Sequence, residues 1–183
     1  MAVKVWNGSS DVFENAAAWG PTGVPVVGDI ASIAAGIVTE SSAFPDSLTL
    51  RLNASSSSSP RLALSGAALP AASRLEINGA GSSAAVQVQG QVSNLGTITV
   101  TSSAPGSATF LVRDAADGSA TTFANAGTIA VTDGIAQILD FGGNATKMTN
   151  NGVLSVASSR SRPRVPRHPR PLSACRPMAR AAL

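Results

Sequence analysis

Carboxylates are the most versatile chemical groups in this chain, and their spacing does not gather them into an acid–base pair. The ten acidic residues are Asp11, Glu14, Asp29, Glu40, Asp46, Glu76, Asp114, Asp117, Asp133 and Asp140. A polysaccharide lyase or hydrolase would need acids or bases gathered on one face, to donate a proton and to accept one or attack. Most of these acids instead lie in or beside predicted turns, where aspartate caps and bends the chain. We therefore predict that the protein is not an enzyme, and we expect no catalytic residue and no cofactor.

Metal-binding and nucleophilic residues are equally sparse. Asp114-x-x-Asp117 precedes Gly118 and could offer two carboxylates to calcium. Because calcium takes about six to eight oxygen ligands, a turn is the favoured interpretation. The single histidine, His168, and the single cysteine, Cys175, both lie in the C-terminal segment, where a fixed catalytic role is not expected. The sequence therefore predicts no metal site.

Two further groups could bind a ligand through a flat surface. Trp6 and Trp19 could stack on a sugar, but a role as a plug that fills the first coil is favoured. We assign both residues and Pro25 to a cap or docking segment.

Thr97-x-Thr99-x-Thr101 places three hydroxyls on one strand face, an array that could bind ice. Because the pattern occurs once, we favour outward threonines in contact with solvent.

The elements that carry these residues are predicted to be β-strands. Hydrophobic residues make up 44% of the chain, much of it Ala and Val, and charged residues make up 13%. Glu, Lys and Gln, which favour helices, are scarce. Residues 48–52, 61–64, 74–77 and 85–89 alternate apolar with polar side chains, which is typical of half-buried strands. Composition and periodicity together indicate an all-β protein.

A repeated phrase, Asn-x-Gly-[Thr/Val]-[Ile/Leu]-x-Val, indicates how the strands are arranged. Its turn residues are Asn94, Gly96, Asn125, Gly127, Asn150 and Gly152. Asn and Gly tolerate positive φ and so reverse the chain, and the two apolar residues that follow point to one face of a short strand. A recurring turn and strand predict a single-stranded parallel β-helix (a solenoid), with two strands in each coil and loops of varying length. An antiparallel β-sandwich is the alternative, because strand spacing alone does not separate the two folds.

Three segments of the chain differ in composition. Residues 1–27 are predicted to form an irregular opening segment that caps or docks the solenoid. Residues 28–159 are predicted to form the solenoid repeats, and residues 160–183 form an Arg/Pro-rich tail. Because proline blocks helices and sheet ladders, we expect the tail to be irregular and disordered. Its abrupt change of composition is also what translation in a shifted reading frame would give, and sequencing the gene would test this.

The tail also carries most of the positive charge. Residues 1–159 hold six Lys/Arg and ten Asp/Glu, whereas residues 160–183 hold seven Arg and no acid. Arg160, Arg162, Arg164, Arg167 and Arg170 could bind nucleic acid or an acidic protein surface. Because no aromatic residue is interleaved to stack on bases, nucleic acid is not an expected partner.

The opening of the chain resembles the start of β-helical repeat modules. The residues that carry the resemblance are Trp6-Asn7-Gly8, Trp19-Gly20-Pro21, Val24-Pro25, Gly28-Asp29-Ile30-Ala31-x-Ile33 and Gly36-Ile37-Val38-Thr39. The later Asn-x-Gly-Thr-Ile-x-Val units are similar to the rungs of the same solenoids. Such modules occur in phage virion decoration and fibre proteins and in bacterial autotransporter passengers. The resemblance covers roughly residues 1–157 and brings no catalytic residue with it.

The resemblance implies a non-catalytic structural function. We expect a phage capsid decoration, head-spike or tail-fibre protein, made in the host cytoplasm and located in the virion. The alternative is a fragment of a bacterial surface adhesin or autotransporter passenger. An autotransporter would be expected to have a signal peptide and a C-terminal membrane barrel, and the sequence shows neither pattern. No apolar run approaches the roughly 18 residues of a membrane span, so no membrane association is expected.

The expected partners are proteins. Strand edges and flat apolar faces would dock onto copies of the same chain, or onto a capsid or tail protein of the virion. A homo-oligomer is expected, and a trimer around a long axis would give a fibre or spike its rigidity. A glycan on the host surface is a further partner that the sequence leaves open.

Overall fold

A computed structural model describes residues 1–21, 23–103, 105–113, 119–133 and 146–157, together with the backbone of residues 135–139. In chain order the strands are β1 (Val3–Trp6), β2 (Ser10–Val12), β3 (Trp19–Gly20), β4 (Ile30–Ile33), β5 (Ile37–Glu40), β6 (Thr49–Ala54), β7 (Arg61–Ser65), β8 (Ala68–Leu69), β9 (Arg74–Ala80), β10 (Ser83–Gln89), β11 (Gln91–Asn94), β12 (Thr97–Ser103), β13 (Ser107–Arg113), β14 (Thr122–Asn125), β15 (Thr128–Thr132), β16 (Ile135–Leu139), β17 (Lys147–Asn150) and β18 (Val153–Ala157). Within these residues the single helical segment is a 3-10 turn at Ala16–Ala18.

The strands form three sheets that the chain visits in turn. The first sheet has the order β18-β15-β12-β9-β6-β4-β1-β3, the second β16-β13-β10-β7-β5-β2, and the third β17-β14-β11-β8. Neighbouring strands are parallel, except for the antiparallel pair of β1 and β3. Three strands and three corners therefore make one coil, and about five coils stack along the axis. The predicted all-β solenoid is confirmed, and the alternative of an antiparallel sandwich does not apply.

The prediction of two strands per coil is wrong, because the third sheet was missed. Its strands have only two to four residues, as in β8 and β11, and its outward positions carry small or polar side chains. Such short segments show too little alternation to be recognised as strands. The uneven spacing of the repeated phrase arises partly in the other two sheets, since β12 and β13 have seven residues each whereas β15 and β16 have five.

The core consists of apolar columns that run along the solenoid axis. Alternate residues of each strand point inward, and the parallel register places them over their counterparts in the next coil. In the first sheet one such column contains Ala31, Leu50, Leu75, Ile98 and Ile129, all buried. Each coil therefore covers its apolar residues only by contact with the coils before and after it.

The opening segment is more regular than its sequence predicted. Residues 1–27 contain β1, β2 and β3, and β1 and β2 extend the first and second sheets in parallel register with β4 and β5. The strands are short and are followed by glycine-rich or proline-containing turns, so the sequence shows little periodicity there. The sheets thus begin within the segment that was interpreted as irregular.

Candidate functional site

Four aromatic rings fill the N-terminal end of the solenoid. The rings of Trp6 and Trp19 meet edge to face with centroids 4.9 Å apart, and Phe13 lies 5.2 Å from Trp19 and 5.4 Å from Phe44. Both indole N–H groups donate to backbone carbonyl oxygens, at 2.9 and 2.7 Å. All four side chains are buried, as is Pro25, so these rings offer no open face for stacking on a sugar.

The carboxylate of Asp29 holds the start of β1 at this end of the solenoid through hydrogen bonds. Its carboxylate accepts hydrogen bonds from the backbone N–H of Ala2 at 2.7 Å and of Val26 at 3.3 Å. These bonds, that of Ala2 above all, hold the pKa of Asp29 below its ordinary value of 3.8. The sequence indicated only a turn residue here, and the approach of Ala2 could not have been recognised from its spacing.

Glu40 occupies an inward position at the end of β5. Its Oε1 accepts hydrogen bonds from the backbone N–H of Ser42 at 2.7 Å and from the Ser42 hydroxyl at 2.6 Å. The same hydroxyl lies 3.0 Å from Oε1 of Glu14. Burial raises the pKa of Glu40, and the bonds from Ser42 oppose that rise. The sequence analysis treated Glu14 and Glu40 as unrelated, although they lie in adjacent coils.

The asparagines of the repeated phrase form a ladder at the corner between the third and first sheets. The side-chain amide of Asn94 donates to Oδ1 of Asn125 at 2.7 Å, and that of Asn125 donates to Oδ1 of Asn150 at 2.6 Å. Asn94 and Asn125 are each 1% exposed. The ladder therefore satisfies buried amides and fixes the register between coils.

The glycines of the same phrase are required by close packing between coils. A Cβ on Gly127 would overlap the carbonyl oxygen of Gly96, and a Cβ on Gly152 would overlap that of Gly127. None of these three glycines is among those with positive φ. The expectation that positive φ explains them is therefore wrong, and the repeat instead reflects backbones that approach too closely for any side chain.

The two ends of the ladder are unequal. Oδ1 of Asn94 is buried without a hydrogen-bond partner, because the residue next to it in β8 is Leu69, which has no donor. At the other end Asn150 is exposed, and its side-chain amide donates to the carbonyl oxygen of Gly152 at 3.4 Å, with no further asparagine above it among the described strands. The ladder therefore leaves a donor directed toward the C-terminal end of the solenoid.

The last described coil exposes residues that correspond to core positions elsewhere. Leu154 and Val156 pair in register with Ile129 and Val131. Ile129 and Val131 are 1% and 4% exposed, whereas Leu154 and Val156 are 53% and 74% exposed. Both residues belong to the last Asn-Gly unit, whose sequence resembles the two buried units before it and so gives no sign that they are exposed. This coil is the clearest candidate for a binding surface.

The outer face of the first sheet is largely polar. Thr97, Thr99 and Thr101 point outward from β12, beside the outward side chains of β9. Arg51 and Glu76 form an ion pair with Nε and Oε2 2.7 Å apart on that face. A pair that is this exposed adds little stability, so its main effect is to keep the face solvated.

Several predicted sites cannot be placed. The Asp114-x-x-Asp117 pair, the basic residues Arg160, Arg162, Arg164, Arg167 and Arg170, and the residues His168 and Cys175 lie outside the described residues. Within the described ranges no three His, Cys, Asp or Glu side chains lie close enough to hold a metal ion. In that same part of the chain there is also no helix with the length and hydrophobicity to cross a membrane.

Comparisons with known proteins leave the family open. The chain matches no protein-family model, no curated protein and no solved structure. The arguments about function therefore depend on the geometry and surface chemistry of the solenoid.

Proposed function

We propose that this protein is a non-catalytic structural protein that docks and assembles through the ends of a β-solenoid. The observation that carries the proposal is the distribution of large apolar side chains that are exposed. In the described part of the chain they are Met1, Val3, Val5, Val12, Val26 and Val27 near the N-terminal end, Val153, Leu154 and Val156 in β18, and only Ile37 and Leu95 between them. Clustered apolar surface on a soluble protein usually marks a contact with another molecule.

The sides of the solenoid support the same interpretation. One outer column of the first sheet begins with Val5 and continues with Ser32, Arg51, Glu76, Thr99, Ala130 and Ser155, so five of its seven members are polar or charged. These side chains hydrogen-bond with water and carry charge, which discourages lateral sheet-to-sheet association. Contacts are therefore expected at the ends of the rod rather than along its length.

The class that we propose is a phage virion protein that decorates the capsid or forms a head spike or tail fibre. Its N-terminal end, where exposed valines surround a rigid aromatic plug, would bind a capsid or tail protein. Support comes from the stacked parallel coils and from the resemblance of the opening and of the Asn-x-Gly units to virion solenoids. The alternative is a bacterial adhesin or autotransporter passenger fragment, which could use the same coils to display a glycan-binding face at the cell surface.

Immunogold electron microscopy tests the proposal. An antibody raised against residues 1–150 is applied to purified phage particles and to the bacteria of the same source, and antibody absorbed with the pure protein serves as the control. We expect label in a regular lattice on the head or the tail. Label on the bacterial cells alone would overturn the virion assignment and support the adhesin, and label on neither would overturn both.

A further inference from the structure

In the part of the chain that the structure describes, the C-terminal coil (β16, β17 and β18) leaves the ends of all three sheets unpaired. Among the described strands β18, β16 and β17 are the last members of the first, second and third sheets. The first-sheet core columns end there in Leu154 and Val156, which no described coil covers. A sheet edge and an apolar column that end together form a template for pairing with another strand.

The N-terminal end of a second copy does not complement this surface. The inward column that ends in Leu154 begins, at the other end of the solenoid, with Lys4, whose ammonium group donates to the carbonyl oxygen of Pro21 at 3.2 Å. The first sheet ends there in β3, which has two residues and runs antiparallel to β1. Head-to-tail stacking would thus set a charge against Leu154 and match strands of different length and direction.

The residues that follow β18 are not suited to extend the solenoid either. Residues 160–183 contain Pro163, Pro166, Pro169, Pro171 and Pro177. Each proline lacks the N–H that a ladder needs, and the seven arginines of this stretch would place charges over apolar columns. A further coil built from this sequence would therefore lack both the donors and the apolar residues of the others.

We propose that the C-terminal coil is covered by the C-terminal coil of a second copy, in a tail-to-tail dimer with a two-fold axis through Ser155. The inference deepens the proposed function and rests on it, since it names one partner of the self-assembly. A surface that pairs with itself about a two-fold axis closes after two copies. The N-terminal end of each copy remains available for a capsid or tail protein.

The hydrogen bonding of β18 fixes the register of this dimer. The N–H of Val153 donates to the carbonyl oxygen of Gly127 at 2.9 Å. Because backbone groups alternate in direction along a strand, those of Leu154 and Val156 face the open side. In an antiparallel pair centred on Ser155, Leu154 lies opposite the partner's Val156. The N–H of each of these two residues then donates to the carbonyl oxygen of the other. The same register brings these apolar side chains together on the inner face.

The other two sheets are compatible with the same axis. A two-fold axis normal to the first sheet reverses its strand direction and exchanges the places of the second and third sheets. β16 of one copy then lies on the same side of the dimer as β17 of the other, and the two strands run in opposite directions. The two copies of Ser155 lie opposite each other, with their side chains on the outer face. Their backbones form a non-hydrogen-bonded pair, in which the Cα atoms are about 4.5 Å apart.

Disulfide trapping tests this register in the full-length chain. The variant Ser155→Cys is made together with Cys175→Ser, and oxidised glutathione is added. Two cysteines at about 4.5 Å between Cα atoms meet the geometry of a disulfide, so we expect most of the protein to become a covalent dimer. The matched control is Ser32→Cys with Cys175→Ser, because Ser32 lies in the same outer column near the other end. It should cross-link at least tenfold more slowly.

Sedimentation velocity of the unmodified chain supplies the second measurement. We expect a dimer that Val156→Lys converts to a monomer, whereas Val153→Lys, which alters the outer face of the same strand, leaves it intact. A monomer, a trimer or an open polymer in the wild type would overturn the inference, as would equal cross-linking of the two cysteine variants. A regular label on virions together with a monomer in solution would overturn the dimer alone, whereas a dimer without virion label would overturn the virion role alone.

Discussion

Asp29 and Glu40 are buried carboxylates near the N-terminal end, and their pKa values move in opposite directions because their surroundings differ. Asp29 accepts two backbone N–H groups, which favour its charged form. Glu40 accepts from Ser42 but lies at an inward position where burial disfavours charge. The two residues should therefore give the solenoid opposite responses to acid.

Replacement of Asp29 by Asn should lower the melting temperature at neutral pH. The folded pKa of Asp29 lies below 3.8, so its contribution to stability is present above about pH 4 and is lost as the pH falls through the folded pKa. The difference in melting temperature between wild type and Asp29→Asn should accordingly shrink toward pH 2. Thermal unfolding followed by circular dichroism measures this, and a difference that stays constant with pH would contradict the role of the charge.

Replacement of Glu40 by Gln should have the opposite dependence on pH. Because the folded pKa of Glu40 is raised above 4.5, the folded state binds more protons than the unfolded state in the window above 4.5. The free energy of unfolding of the wild type thus falls as the pH rises through that window. Glu40→Gln should remove this fall and be at least as stable as wild type at pH 7. Urea titrations between pH 4 and pH 8 provide the check, and a variant less stable at pH 7 would count against it.

At the scale of elements, the corner between the third and first sheets holds the coils in register. Asn94, Asn125 and Asn150 each end a strand of the third sheet, and each glycine two residues later permits close stacking of the backbone. The directional ladder ends in a buried acceptor at Asn94, which faces Leu69. Stability at this corner therefore depends most on the middle asparagine.

Asn125→Ala should destabilise the solenoid more than Asn150→Ala. The first change leaves the buried amide of Asn94 without its ladder acceptor and Oδ1 of Asn150 without its donor. Leaving the buried amide of Asn94 without that acceptor costs about 1–3 kcal/mol. Asn150→Ala breaks only the second ladder bond, and the Asn125 amide that loses its acceptor there lies beside an exposed position where water can replace it, so the loss is about 1 kcal/mol or less. Denaturant unfolding of the two variants measures the difference. Equal losses would indicate that the ladder adds no more than local hydrogen bonds.

The sequence predicted the longer strands and the corners but not the number of sheets. Alternation of Leu50 and Leu52, or of Val86 and Val88, is visible because those strands have six or seven residues. The third sheet has short strands in which small and polar residues replace that pattern, so only its terminal asparagines were noticed. The acid contacts at Asp29 and Glu40 were missed because they depend on how coils stack, which local spacing does not encode.

For the molecule as a whole, the two ends of the described solenoid differ in chemistry. The N-terminal end is closed by aromatic rings and a basic side chain, and the C-terminal coil presents unpaired edges with Leu154 and Val156 exposed. That asymmetry favours one self-pairing end and one end for a different partner. The sequence suggested docking by strand edges and by flat apolar faces, and the distribution of exposed apolar residues favours the strand edges at the ends.

Hydrogen exchange of the unmodified protein at two concentrations shows whether the C-terminal coil is a docking surface. The N–H groups of Leu154 and Val156 face the open side of β18, so no described strand of the same chain protects them. We predict slow exchange of these two amides at high concentration and fast exchange on dilution, while amides of β9 and β12 stay protected throughout. Fast exchange of Leu154 and Val156 at every concentration, or protection that does not change on dilution, would contradict the account.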